Sequence, residues 1–506
     1  MSREQNSLHS ERLRKLRQLK AEGINPYAHQ YPRTHMIADL KDGEAVFEAE
    51  AAVVNICGRI TGQRFSWKFV DIEDQSGKMQ LIFDAALVEA DELKRLKLLD
   101  RGDFIGVSGK LGRSRSGELS LLVEAYTILS KSLQPLPDTW AESVSPDRKY
   151  RQRYLDFMLN VESKETIKKR SKLVIVLREF QDGRDYIEGE TLVLHGDASG
   201  DEARPCVTHH NALSADFYLR IATEMHLKRM IIGGFESVYE IGRIFRNEGL
   251  STRHNPEFTM MELYQAYGDY NQMMDLTEQM LKHVILSVCG SLKIKYQGVE
   301  LDFSGPWKRV TMFDAIKEHL NVSVSDQTTI AEAVAIAENL GVALAGDEQS
   351  AGEVIYRIFA KKVEPFLMQP TFVIDYPEEV SWVQQKHRHK RGLVERFELF
   401  IIGMEYVNGC SELNDPLEQR HRFEIQAEKH SAGDEEMRPV DVEFLTAMEF
   451  GMPPTMGIGL GIDRLAMLLT DSPCIRDVIA FPLMKKLPSE LEYIEPAYNW
   501  QEREAI

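Results

Sequence analysis

The chain has 506 residues, of which 43% are apolar and 28% charged, a make-up that excludes a disordered or fibrous protein and leaves room for several domains of ordinary size. Sixty-one basic residues against 79 acidic ones give a formal charge of −18, which argues against coating nucleic acid or an anionic membrane by bulk charge, though not against a local basic surface. No apolar run approaches the ~18 residues needed to span a bilayer, no apolar stretch near the start reads as a secretory signal, and the five cysteines form no C-x-x-C pair, so a reducing, cytoplasmic setting without membrane contact is expected.

The first element is ERLRKLRQLK (11–20), where Leu13, Leu16 and Leu19 recur every three residues. The spacing predicts a basic amphipathic helix, either packed on a domain or offered to phosphates. Five strand-like runs follow, at about 51–62, 65–74, 78–84, 103–112 and 119–129, with a helical pattern between the third and fourth. That order is the one of an OB barrel, a fold that commonly stacks bases on aromatic rings of its second and third strands. Phe65, Trp67 and Phe69 alternate on the second run and are expected on one face, either the base-binding one or the barrel interior. Arg64 beside them and Gln80 on the third run favour the base-binding side.

LQPLPDTW (133–140), with two prolines, reads as a linker, dividing the chain into residues 1–145 and 146–506. Beyond it a long amphipathic helix from 171 leads to a short strand (DYIEGE). Strands are expected at 217–221, 236–246, 257–264, 371–375 and 396–410, and helices at 224–232, 270–289 and 330–364. Strands and helices do not alternate strictly, which favours an antiparallel α+β domain over a doubly wound one. The basic run KHRHKR (386–391) is expected as a solvated loop.

The chain has neither a P-loop nor a Rossmann glycine fingerprint. Two other stretches carry nucleotide chemistry. In ESVYEIGRIFRNEGLSTRHNPEFTMMELY (236–264), Arg246 ends one strand, Arg253 and His254 lie in a polar loop, and Phe258, Met260, Glu262 and Tyr264 project to one face of the next strand. Two aromatics, a carboxylate and a nearby arginine make a poor core but a plausible pocket for an adenine, a phosphate and a cation. In GIGLGIDRLAMLL (457–469) three glycines alternate along a strand, so a ligand can lie against the backbone, and Arg464 sits in the first turn of the following helix.

FRNEGLSTRHNPEFTMMELY resembles motif 2 of the class II aminoacyl-tRNA synthetases, and GIGLGIDRLAMLL resembles their motif 3. KYRQRYLDF (149–157), ARPCVTHHNAL (203–213), LKRMIIGGFE (227–236), NGCSELNDP (408–416) and IRDVIAFPLMK (475–485) resemble the lysyl-tRNA synthetases in particular, in order over nearly the whole chain. The resemblance implies an α+β fold class: an N-terminal five-stranded OB β-barrel that binds the anticodon, followed by a class II synthetase antiparallel sheet of six or seven strands flanked by helices. A helical insertion is expected at about 315–365. It implies a homodimer that uses ATP and L-lysine to form lysyl-adenylate and then charges tRNA(Lys).

Carried over by matching motifs, Arg246 and Arg464 become the catalytic arginines, and with His254 and Phe258 they bind ATP. Glu398 and Glu405 match Mg2+ carboxylates. Glu262 and Glu412, with Tyr264, match the ε-ammonium site; Gly200, Glu224, Asn408 and Cys410 complete the lysine site. Arg64, Phe69 and Gln80 match anticodon-reading positions. The family usually has phenylalanine where Cys410 stands and proline where Leu192 stands, the latter at its dimer interface. The retained arginines and carboxylates favour an active lysine–tRNA ligase over the competing reading, a weakened paralogue that serves as an RNA-binding or regulatory protein.

Overall fold

The computed structural model describes residues 3–137, 145–196, 203–344, 346, 348–432, 437 and 439–486. They fall into two compact units, one made of the described residues up to 137 together with 485–486, and one of those from 145 to 484.

In the first unit, strands β1 (Val53–Arg64), β2 (Phe69–Glu73), β3 (Lys78–Ile82), β4 (Phe104–Arg113) and β5 (Leu119–Ser130) close into a barrel in the order β1-β2-β3-β5-β4. Closure follows from strict alternation: Val54, Ile56, Val70, Ile72, Leu81, Val107 and Leu121 all point inward and are buried. A short helix, Ala90–Arg95, lies between β3 and β4 as expected. The N-terminal helix spans Arg3–Ala21 and buries Leu16 and Leu19. Arg12, also buried, donates to the carbonyls of Arg101, Ser132 and Gln134 at 2.9–3.1 Å, so part of the basic character fastens the helix to the barrel.

The aromatic strand requires correction. Arg64 pairs directly with Phe69, so residues 65–68 form the turn between β1 and β2. Phe65, Ser66 and Trp67 all have positive φ there, and the three aromatics do not share one strand face. The cause is that this turn is built from aromatic and polar residues instead of the glycine or asparagine that usually marks such a conformation. Trp67 folds back against the barrel core, whereas Phe65 is exposed with its ring 5.8 Å from that of Phe69.

In the second unit, the chain-order strands are β6 (Ile187–Glu188), β7 (Leu194–His195), β8 (Cys206–His210), β9 (Ala215–Leu219), β10 (Ser237–Phe245), β11 (Glu257–Ala266), β12 (Lys293–Tyr296), β13 (Val299–Asp302), β14 (Lys308–Thr311), β15 (Thr371–Pro377), β16 (Leu393–Ile401), β17 (Met404–Ser411) and β18 (Thr455–Gly461). The main sheet has eight strands, in the order β14-β15-β16-β17-β18-β11-β10-β6, rather than six or seven. Its interior is antiparallel, but both edge pairs are parallel. Parallel pairing needs a long crossover, and residues 312–362 supply one between β14 and β15. That crossover is three helices, Met312–Leu320, Ile330–Asn339 and Ala351–Lys362, so the long helix expected over 330–364 is broken. The strand expected over 396–410 is likewise a hairpin, reversed at Ile402 and Gly403, both with positive φ.

One face of the sheet packs on the helices Val161–Asp182, Tyr270–Cys289 and Ile462–Leu469. Met261, Leu263, Leu399, Val407 and Leu460 meet Leu177, Met273, Val284 and Leu465 there in one buried cluster. The other face carries the polar residues of the next section.

The run at 386–391 is not simply solvated. Arg388 bonds the buried Glu395 and also Asp269, and Lys390 pairs with the buried Asp375, because β15, β16 and the start of the helix Tyr270–Cys289 each present an acid toward the loop. Among the described residues no helix is long and apolar enough to cross a membrane.

Candidate active site

The two-residue period of β11 sends Phe258, Met260, Glu262 and Tyr264 to the open face of the sheet, and the strand registry decides what stands beside them. Met260, Glu262 and Tyr264 pair with Gly461, Gly459 and Gly457 of β18. On the far side, Gly459 and Gly457 pair with Asn408 and Cys410 of β17, and Asn408 and Cys410 pair with Glu398 and Arg396 of β16. The three glycines therefore form the floor of a cleft whose lining includes Glu224, Arg246, His254, Phe258, Glu262, Tyr264, Glu405, Asn408, Cys410, Glu412 and Arg464. Gly457 is needed sterically, since a Cβ there would lie 2.6 Å from carbons of the Tyr264 ring and closer still to Oε1 of Glu412.

One end of the cleft is acidic. Glu262, buried, accepts from the backbone N–H of Thr223 at 3.0 Å and from the Tyr264 hydroxyl at 3.2 Å. Glu412, also buried, does not stand alone with Glu262. Its Oε2 lies 2.5 Å from Nζ of Lys228, which is also 2.5 Å from Oε1 of Glu224. Glu224 opens the helix Glu224–Ile232, and Lys228 is one turn further along it, so both face the cleft. Burial pushes the Glu412 carboxyl up to about 7 against the pull of Lys228. Burial also opposes the charge on Lys228, but Glu224 and Glu412 more than offset it and hold the ammonium above its ordinary range. Burial and the nearby Glu412 raise the Cys410 thiol.

The other end is basic. Arg246 directly follows β10; its guanidinium carbon sits 5.3 Å from the Phe258 ring centre, and Nη2 reaches the Ile221 carbonyl at 3.5 Å. Arg464 lies in the first turn of Ile462–Leu469, donating to the Glu405 carbonyl at 2.7 Å with its guanidinium 3.5 Å from that residue's carboxylate. The preceding Asp463 fixes this helix start by accepting from Arg170 at 2.7 Å and from the Thr259 N–H at 2.6 Å. His254 is exposed and holds the Ser251 hydroxyl at 2.9 Å through Nδ1. Partial burial, Arg464 and Arg253 lower its affinity for a proton.

Between the two ends, Glu398 is buried and 2.6 Å from Arg396. Burial lifts its carboxyl to about 7, with Arg396 opposing and Glu405 adding to the rise. Two carboxylates near enough to repel each other suit a hard divalent cation, which takes oxygen ligands. No group of three or more potential ligands is present among the described residues, so phosphate oxygens or water would have to complete such a shell.

In the barrel, Arg64 and Phe69 are cross-strand partners, and Asp71, which pairs with Gln80, is ion-paired to Arg64 at 2.7 Å. All three sequence-predicted residues thus lie on one outer face, although Gln80 is buried there between Glu118 and Ser120. In the larger unit every predicted site residue comes to the cleft or its edge except Gly200, which lies outside the described residues. The sequence reading missed Lys228 and Arg396. The four-residue step from Glu224 and the two-residue step to Glu398 were the available signals, but basic residues on an amphipathic helix or a strand read as solvent-facing.

Comparison with known proteins agrees with this geometry. A family model described as tRNA synthetases class II (D, K and N) matches residues 145–485, and an OB-fold nucleic acid binding domain matches residues 54–129. A lysine–tRNA ligase of Nostoc punctiforme is 49% identical over 498 residues, covering 95% of this chain and 88% of the relative. That of Thermosynechococcus vestitus is 49% identical over 484 residues (94% and 96%), and that of Prochlorococcus marinus 47% over 494 residues (95% and 97%). An acid-lined and arginine-lined cleft on a class II sheet, carried by a chain that matches such relatives along its length, places this chain in the lysine–tRNA ligase family of class II tRNA synthetases.

Proposed function

We propose that the chain is a lysine–tRNA ligase that joins L-lysine to ATP as lysyl-adenylate and then passes the lysyl group to tRNA(Lys). The observation that carries this reading is the polarity of one cleft: Glu262, Glu412 and Glu224 at one end and Arg246 and Arg464 at the other, on a shared glycine floor. Paired carboxylates favour a cationic side chain and repel an acidic one, which separates lysine from aspartate.

In the first step a lysine carboxylate oxygen attacks the α-phosphorus of ATP, and the bond to the bridging oxygen of diphosphate breaks. Arg246 touches the carboxylate and the α-phosphate, neutralising charge that grows as they approach. Phe258 stacks on adenine, and Arg464 and His254 hold the outgoing phosphates. Glu262, Tyr264 and the free edge of Glu412 hold the ε-ammonium; Glu224 and Asn408 take the α-amino and carboxylate groups, with Cys410 against the aliphatic stem. Glu398 and Glu405 would hold Mg2+, whose role when bound is to offset negative charge on the phosphates. No general base is required, because the carboxylate attacks already ionised; catalysis is positioning plus electrostatic stabilisation. In the second step a terminal ribose hydroxyl of tRNA attacks the lysyl carbonyl and AMP leaves, while Arg64, Phe69 and Gln80 read the anticodon.

A homodimer is part of the proposal. Exposed Leu192, Val193, Leu194, Val207 and Leu213 fall on and beside the small sheet of β7, β9 and β8, an apolar surface suited to a second copy. We place the enzyme in the cytoplasm with its tRNA. The test is ATP–pyrophosphate exchange run with each of the twenty amino acids. Lysine alone should support exchange, and Arg464→Ala should abolish it; undiminished exchange in that variant would refute the site.

A further inference from the structure

Lys228 has no place in the chemistry just described, yet its side chain is 1% exposed and its ammonium bridges two of the three cleft acids. It also stands 5.7 Å from the centre of the Tyr264 ring. The groups facing Glu412 are Lys228 and Glu224 from the helix Glu224–Ile232, Tyr264 from β11, whose hydroxyl also bonds Glu262, and Cys410 from β17. The one ammonium of Lys228 answers one of the two carboxylates it bridges, so Glu224 and Glu412 together offer a bound amino acid at most one net negative charge instead of two. Lysine brings two ammonium groups, and its carboxylate is matched separately by Arg246. The bridge also fixes direction, since Oε2 of Glu412 is taken by Lys228 while Oε1 lies over Gly457.

We propose that Lys228 is a specificity-setting positioning residue: by bridging Glu224 and Glu412 it fixes how many negative charges the cleft offers an amino acid and which way they point. This rests on the reading of the cleft given above. Without the ammonium, two buried carboxylates would face each other uncompensated, and one would take up a proton to relieve the repulsion. Lysine could then bind tightly only by expelling that proton. Its affinity would therefore strengthen as pH rises, by up to tenfold per pH unit while the proton is still bound. In the native protein the same dependence should be confined to about pH 7 and below, because Lys228 favours ionised Glu412.

The experiment is the lysine KM and ATP KM in pyrophosphate exchange for Lys228→Met, Lys228→Gln and Lys228→Arg, measured from pH 6.5 to 8.5. Lys228→Gln keeps a polar donor beside the acids and carries the same prediction if the methionine variant fails to fold. Both neutral variants should raise the lysine KM at least tenfold at pH 7, leave the ATP KM within twofold, and recover progressively toward pH 8.5. Lys228→Arg should restore the native pH profile. A rise in lysine KM that does not change with pH, or an equal loss for ATP, would overturn the proposal. Glu262→Gln, run alongside, separates the two levels. If it leaves the lysine KM unchanged, the reading of the cleft itself is wrong; if it raises the KM while the Lys228 variants behave as native, only the role given to Lys228 falls.

Discussion

Replacing Gly457 by alanine adds one methyl group to the floor of the cleft. The new Cβ would sit 2.6 Å from two carbons of the Tyr264 ring and press still harder on Oε1 of Glu412. The strand has little freedom to retreat, because Gly457 is paired with Tyr264 on one side and Cys410 on the other. The side chains must therefore move, and overpacking of this kind costs roughly 1–3 kcal/mol of stability. The functional loss is separate. If Glu412 is turned from the ε-ammonium, lysine forfeits a hydrogen bond to a charged group, worth about 1.5–3 kcal/mol. At 1.36 kcal/mol per tenfold change, the lysine KM in pyrophosphate exchange should rise roughly 10- to 150-fold. The ATP KM should stay within about twofold, since Phe258 and Arg464 lie toward Gly459 and Gly461. Gly305→Ala is the control, because an added Cβ there meets nothing within 4 Å. A lysine KM near the native value, or an ATP KM that climbs in step with it, would show that the acidic end does not hold lysine.

Phe69→Ala should raise the KM for tRNA in the charging reaction by roughly 5- to 150-fold, the equivalent of ~1–3 kcal/mol of base stacking, with adenylate formation unaffected; parallel damage to both reactions would contradict a barrel that reads the anticodon. His226, pushed down to about 4 by burial and by the neighbouring His195 ring at 4.7 Å, is neutral in the folded protein and regains its ordinary proton affinity on unfolding. Its folded pKa is depressed, so the unfolded state binds more protons between about pH 6.5 and 4, and stability falls as the pH is lowered through that window. Urea unfolding of His226→Gln should show a shallower loss of stability over the same window than the native protein, and superimposable profiles would exclude His226 as a source of acid sensitivity.

The cleft was readable in advance because its strands obey the simplest pattern available. Phe258, Met260, Glu262 and Tyr264 must share a face in any extended strand, and three glycines at the same spacing advertise a floor without side chains. What escaped notice depended on contacts between distant segments or on turns without their usual residues. Phe65 and Trp67 have the composition of a strand, and only the pairing of Arg64 with Phe69 reveals the reversal. Lys228 looks like any lysine on an amphipathic helix until β17 brings Glu412 against it. The basic run near residue 388 reads as a solvated loop because the acids that bind it, Asp269, Asp375 and Glu395, belong to three other elements. Of the two parallel edge strands, the one within DYIEGE was expected, whereas Lys308–Thr311, four residues long, was too short to register.

Glu262, Gly459, Asn408 and Glu398 occupy a single row across four neighbouring strands. Adjacent strands stand about 4.8 Å apart, so about 14 Å of backbone separates Glu262 from Glu398. Such a row is a ruler whose length is set by peptide hydrogen bonds and not by adjustable side chains. If Glu262 holds the side-chain amine as proposed above, a diamino acid one methylene shorter would leave its carboxylate about an ångström short of the position that lysine's carboxylate reaches. Misplacement on that scale costs on the order of 100-fold in rate, so the proposed lysine site should discriminate against the shorter homologue by its length, even though its charges are the same.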